Sequence, residues 1–137
     1  MDIGIPKETK DQEFRVGLTP STVRTLIDRG HQVYVETNAG LGSSFTDTQF
    51  HQAGAKIVPT AAAAWEQEMV VKVKEPLSTE YLHLQKNQIL FTYLHLAPDL
   101  EQTRDLIASG ATCIAYETVT SASGGLPLLT PMSEVAG

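Results

Sequence analysis

Apolar and polar residues alternate along this chain in short blocks whose period switches between two and about 3.6 residues. Ile3-Gly4-Ile5-Pro6 reads as an opening strand. Thr19-Pro20 is an N-cap followed by proline at the first helical position, where no backbone N–H is needed. Val23, Leu26 and Ile27 follow at helical spacing, and Gly30 ends the helix. Gln32 to Glu36 alternates as a strand does. Thr46-Asp47-Thr48-Gln49 fits a capping box, with Phe45 and Phe50 positioned as its hydrophobic staple, and Gly54 stops that helix. A short strand over Lys56 to Val58 and an alanine-rich helix over Thr60 to Glu66 come next. Further strands are predicted at Met69–Lys74, Ile89–Leu94 and Thr112–Tyr116, separated by helical segments at Ser78–Leu84 and Asp99–Ala108. This alternation predicts an α/β fold, a mostly parallel sheet with helices on both faces. Ser121 to Gly125 reads as a flexible turn, and no internal repeat is visible.

The strand from Met69 carries two lysines near its end. In an extended chain Lys72 and Lys74 point the same way, about 6–7 Å apart. Like charges in such apolar company repel unless an anion or water reaches them, so the pair predicts an anion site at a strand end.

Size and charge narrow the classes. With 137 residues, 42% of them hydrophobic, the chain has the length of one domain and can bury a core. A net charge of −6 argues against non-specific nucleic-acid binding. The single cysteine, Cys113, excludes an internal disulfide, fits a reducing compartment, and reads as a structural thiol in an apolar run. No 18-residue apolar span and no signal-peptide core occur, so the expectation is a soluble cytoplasmic protein without a membrane partner.

Several residues could carry chemistry. Arg15, in a loop soon after the first strand, could clamp a carboxylate with two parallel hydrogen bonds, or be an ordinary surface arginine. His95 ends the run from Ile89 and shares a face with Phe91 and Tyr93. Ligands of open α/β sheets bind outside the carboxyl ends of strands, so His95 is a candidate acid/base, with a structural histidine as the alternative. Glu117 follows the last strand and could orient a ligand or a neighbouring base. His31, His51 and His83 read as solvated. Gly40-Leu41-Gly42 reads as a turn, because Phe45 stands where a dinucleotide loop needs its third glycine. No Walker loop, CxxC or HExxH motif occurs, and no metal site is predicted.

Taken together, these segments resemble a known family. Ile3-Gly4-Ile5-Pro6-Lys7-Glu8, Glu13-Phe14-Arg15-Val16, Leu18-Thr19-Pro20, Lys72-Val73-Lys74-Glu75-Pro76, Phe91 to Ala97, Ala115 to Val119 and Pro131 to Gly137 are similar to the N-terminal part of NAD-dependent alanine dehydrogenases. The related domain of the proton-translocating transhydrogenases typically lacks counterparts of Lys74 and His95, and this chain has both. The interval from Trp65 to Lys72 is one residue shorter than the family pattern and is expected to be absorbed in the turn before the strand.

The resemblance implies a Rossmann-like or flavodoxin-like substrate domain and assigns roles within it. Arg15 would bind the carboxylate of L-alanine or pyruvate, Lys74 would contact the substrate near its carbonyl, and His95 would act as acid/base. Met132 would line the pocket near the nicotinamide ring and Ser133 would begin the NAD contacts, while Lys72 lies beside the site. It also implies a homo-oligomer. A transhydrogenase-type dinucleotide module and a non-catalytic oxo-acid-binding fragment stand as the alternatives.

Residues Pro131 to Gly137 look like the start of a helix without a stop signal. The expectation is therefore that residues 1–137 form an N-terminal substrate-binding domain ending at the hinge into an absent NAD-binding domain, truncated either naturally or by design. Such a chain should not turn over alone, and a steady-state assay should find no alanine-dependent NADH formation. It should also self-associate through exposed apolar surface, visible as a larger species than the monomer in size-exclusion chromatography.

Overall fold

Every strand of the sheet runs in the same direction. The computed structural model describes residues 1–137, with β1 at Asp2–Ile5, β2 at Gln32–Glu36, β3 at Lys56–Val58, β4 at Met69–Val71, β5 at Ile89–Thr92 and β6 at Thr112–Ala115. The strand order is β3-β2-β1-β4-β5-β6. That is the Rossmann order rather than the flavodoxin one, and it reverses between β1 and β4, where open α/β sheets form their ligand crevice.

Register sorts the side chains into two cores. Ile3 lies opposite Val33 on one side and Met69 on the other, and Val71 lies opposite Phe91. On the face carrying Ile3, Ile5, Val33 and Val35 pack two helices, α1 (Pro20–Asp28) and α2 (Asp47–Gln52), through buried Val23 and Phe50. On the opposite face α3 (Ala61–Trp65) and α4 (Leu100–Ser109) cover Val70, Leu90 and Ala115 through Trp65 and Leu106. Gly4 admits α3 at close range, since a Cβ there would stand 1.8 Å from the Ala64 carbonyl oxygen. No helix covers the first face over β4 and β5, and an apolar cleft of about 700 Å³ opens there between Met69, Val71, Phe91, Tyr116 and Leu26. No helix is long and apolar enough to cross a membrane.

Local signals form the helix starts. The Thr19 hydroxyl accepts the Thr22 amide at 3.3 Å, with Pro20 opening α1. The capping box is complete: Gln49 N–H donates to Thr46 Oγ1 at 3.3 Å, and Thr46 N–H donates to Gln49 Oε1 at 2.8 Å. Phe45 meets Phe50 edge-on with ring centroids 6.3 Å apart. The Gly40-Leu41-Gly42 segment is a turn, with a 3-10 helix over Leu41–Ser43.

Three expectations need correction. Ser78–Leu84 holds only a 3-10 turn at Tyr81–His83, because Glu80 is drawn into the interior by a charge from another element. The strands ending at Lys74, Leu94 and Tyr116 stop at Val71, Thr92 and Ala115, although the β4–β5 ladder continues in two isolated bonds, Lys72 N–H to Phe91 O and Tyr93 N–H to Val73 O. Two histidines are only partly solvated: half-buried His83 is stacked on Trp65 at 6.0 Å, and in half-buried His31 the Nδ1 atom has no partner.

Candidate functional site

The carboxyl ends of β1, β4, β5 and β6 each deliver one candidate residue to the same crevice. Arg15 comes from the loop after β1, Lys74 from the segment after β4, His95 from the turn after β5, and Glu117 from the 3-10 turn after β6. A fifth contribution is α5 (Thr130–Ala136), which brings Met132 and Ser133. All six line one cleft of about 480 Å³, together with Tyr93. Arg15, Tyr93 and Met132 also border the larger apolar cleft, so the two clefts share a wall.

Lys72 is not in that cleft, and this corrects the reading of the lysine pair. Its ammonium is 3.0 Å from Glu8 and 3.3 Å from Glu80, with all three side chains nearly or wholly buried. The Trp65 ring lies 5.9 Å away. Glu8 also accepts the Val73 amide at 2.6 Å, and Glu80 accepts the Leu77 amide at 2.8 Å. The anions that Lys72 demands belong to the chain itself. The triad ties the segment after β1 to the segment after β4, two residues before Lys74. A lysine in an apolar strand signals a buried carboxylate partner, but which of the chain's carboxylates answers cannot be read from spacing.

Arg15 is half-exposed and held by Glu13, whose carboxylate is nearly buried. Arg15 Nε donates to Glu13 Oε1 at 2.8 Å and Nη2 donates to Oε2 at 2.7 Å, while the Arg15 amide donates to Oε1 at 3.0 Å. These bonds pull the Glu13 carboxyl down from 4.5 to about 2 against its burial, and raise the Arg15 guanidinium. Because the folded pKa is depressed, the stability Glu13 contributes is present above its ordinary 4.5 and is lost as pH falls toward about 2. The difference in thermal midpoint between the wild-type chain and Glu13→Gln is therefore expected to shrink as the melts move from neutral pH to about pH 2.

His95 is exposed and adopts φ +50°, a left-handed backbone that non-glycine residues rarely take. Glu117 holds it there. The His95 amide donates to Glu117 Oε1 at 2.7 Å and the Leu94 amide donates to the same oxygen at 3.0 Å. Of the roles open to Glu117, the contacts serve to hold a neighbour, and they act on the backbone of His95. Tyr93, beside His95, donates its hydroxyl to the Leu128 carbonyl, which pins the segment leading into α5 against the sheet. Tyr116 packs edge-on to Tyr93 at 4.8 Å and to Phe91 at 4.3 Å, and its burial pushes the phenol well above the usual range.

Sequence reasoning missed Glu13, Glu8 and Glu80 as members of this apparatus. Cys113 packs against the second core and burial pushes its thiol up, consistent with a structural role.

The residues present fit only one end of a dinucleotide. Met132 and Ser133 give the cleft an apolar wall and a hydroxyl beside His95. A phosphate cradle is missing from the glycine turn: a Cβ on Gly40 would meet Phe50 at 2.6 Å and one on Gly42 would meet Phe14 at 2.5 Å, so both glycines serve internal packing.

A sequence model of the family described as alanine dehydrogenase/PNT, N-terminal domain, matches residues 4–136. The chain belongs to that family. Alanine dehydrogenase of Staphylococcus epidermidis is 58% identical over 137 residues, all of this chain and 37% of the relative. Alanine dehydrogenase of Halomonas elongata is 53% identical over 138 residues, again 37% of the relative. The chain thus spans little more than a third of the curated relatives it matches. Among solved structures, an L-alanine dehydrogenase superposes with a TM-score of 0.97 at 60% identity, over 99% of this chain and 38% of that one. A transhydrogenase from Sinorhizobium meliloti is more distant, with a TM-score of 0.81 at 29% identity over 85% of this chain and 35% of its own. In this member of the family the fold is a six-stranded parallel sheet, with the candidate cleft at the carboxyl ends of its strands.

Proposed function

We propose that this chain is the substrate-binding part of an NAD-dependent L-alanine dehydrogenase, which converts L-alanine, NAD and water to pyruvate, ammonia and NADH. The observation that carries the reading is the convergence of Arg15, Lys74, His95, Met132 and Ser133 on one cleft outside the strand ends. In this reading the Arg15 guanidinium binds the substrate carboxylate through two parallel N–H···O bonds. The Lys74 ammonium donates to the carbonyl oxygen of pyruvate and polarises it. His95 gives and takes the proton as the carbonyl carbon changes between the keto and amino acid. NAD, when bound, supplies the hydride acceptor, and Met132 and Ser133 would flank its nicotinamide end. Other residues than these 137 would hold its phosphates. The transhydrogenase alternative is less well supported, given the lower identity of that relative. A cytoplasmic, homo-oligomeric assembly with small-molecule substrates and no membrane or nucleic-acid partner completes the proposal.

The test is a pyruvate titration of the chain followed by amide NMR. Saturable shifts around His95 are expected, and Arg15→Ala and Lys74→Ala should each weaken binding by about tenfold or more, the effect of losing one or two charge-assisted bonds. Unchanged affinity in both variants would remove these residues from the site.

A further inference from the structure

We propose that Glu13 is a positioning residue that presents one chosen edge of the Arg15 guanidinium to the substrate carboxylate. The inference rests on the reading of Arg15 given above and adds to it how the arginine is aimed. A guanidinium has two edges able to grip a carboxylate bidentately: the side edge formed by Nε and one terminal nitrogen, and the end edge formed by the two terminal nitrogens. Glu13 fills the side edge completely, at 2.8 Å from Nε and 2.7 Å from Nη2. No protein group bonds to Nη1, which leaves the end edge unoccupied, and the half-exposed Arg15 side chain lines the cleft.

The brace is itself fixed. Glu13 Oε1 also accepts the Arg15 amide at 3.0 Å, so the carboxylate is tied to the backbone of the residue it holds. Its side chain is only 7% exposed. The loop is anchored nearby, where Ser43 Oγ donates to the Phe14 carbonyl at 2.9 Å. Arg15 can then meet a carboxylate with its planar fork already set, instead of ordering a long side chain on binding. The opposite mechanism, in which Glu13 competes with the substrate for the arginine, would require the substrate to take the edge whose two N–H groups already bond Glu13.

The experiment compares pyruvate with pyruvamide, which has the same keto group but no carboxylate. Dissociation constants for both would be measured by NMR titration of the wild-type chain, Glu13→Gln, Glu13→Ala and Arg15→Ala, with the amide spectrum outside residues 7–17 as the check on folding. Glu13→Gln keeps the Oε1 acceptor and sets an NH2 against Nη2, so it disturbs one of the two parallel bonds at nearly constant volume. Glu13→Gln and Glu13→Ala should each weaken pyruvate binding by about tenfold and leave pyruvamide unchanged, lowering the preference for the carboxylate. Arg15→Ala should abolish the preference. A mere loss of local structure would weaken both ligands together and would overturn the proposal, as would unchanged pyruvate affinity in both Glu13 variants. Tighter pyruvate binding in those variants would make Glu13 a competitor. Retained preference in Arg15→Ala, or no pyruvate binding by the wild-type chain, would instead remove the reading of Arg15 on which the inference rests.

Discussion

Replacing Lys72 with alanine is expected to destabilise the fold by about 3–5 kcal/mol, the range found when one member of a buried ion pair is removed. Lys72 is 1% exposed and stands between two carboxylates at 3.0 Å and 3.3 Å. Without it, Glu8 and Glu80 face each other's field in a desolvated space, and the Trp65 ring loses the cation beside it. The pair cannot simply turn to water, because each carboxylate also holds a backbone amide, at Val73 and at Leu77. Urea unfolding of the variant should show the loss as a lower midpoint at unchanged slope. Uncompensated charge, rather than lost volume, is the stated cause. The triple replacement Lys72→Met, Glu8→Gln, Glu80→Gln should therefore recover most of the stability, since an apolar or neutral substitute for a buried ion group is often neutral. A triple variant as unstable as Lys72→Ala would mean that packing, and not charge, governs this site.

Glu117→Ala is expected to have the second largest effect, about 2–3 kcal/mol of stability, and to dissolve the geometry of His95. Two amides, those of Leu94 and His95, converge on Glu117 Oε1 at 3.0 Å and 2.7 Å. Leu94 is 2% exposed, so its amide would be left in the interior without an acceptor. His95, held at φ +50°, would relax to an ordinary backbone conformation once the anchor is gone. Glu117→Gln separates geometry from charge: it keeps one oxygen able to accept both amides, and loses only the added strength of an ionised acceptor. Thermal unfolding should rank the stabilities wild type, Glu117→Gln, Glu117→Ala. The His95 amide resonance should stay near its wild-type position in the glutamine variant and move in the alanine variant. Equal shifts in both would show that the negative charge, not the two-amide geometry, fixes the histidine.

Much of the fold is legible in the chain because its signals close within a few residues. The capping box at Thr46 and Gln49 and the cap at Thr19 are satisfied three residues away, so the helix starts fall where the sequence puts them. β2 and β3 also match their predicted spans, since alternation on a half-buried strand is a local property. Ser78–Leu84 failed as a helix for the opposite reason. Glu80 lies in the interior because Lys72 is there to meet it, and the turn is shaped around that contact instead of around helical propensity.

The candidate site divides in the same way. The chemistry proposed for its members rests on residue type: an arginine for a carboxylate, a lysine for a carbonyl, a histidine for a proton. Tertiary structure decided most of what surrounds them. It turned Lys72 from half of an anion site into the centre of a buried triad and hung His95 from Glu117, whereas the brace that Glu13 gives Arg15 closes within two residues. The sheet order then brought the ends of β1, β4, β5 and β6 side by side at one crevice. The physical reason is distance along the chain. Lys72 and Glu8 are 64 residues apart, His95 and Glu117 are 22 apart, and no local pattern states which charge meets which until the parallel sheet has set their neighbours.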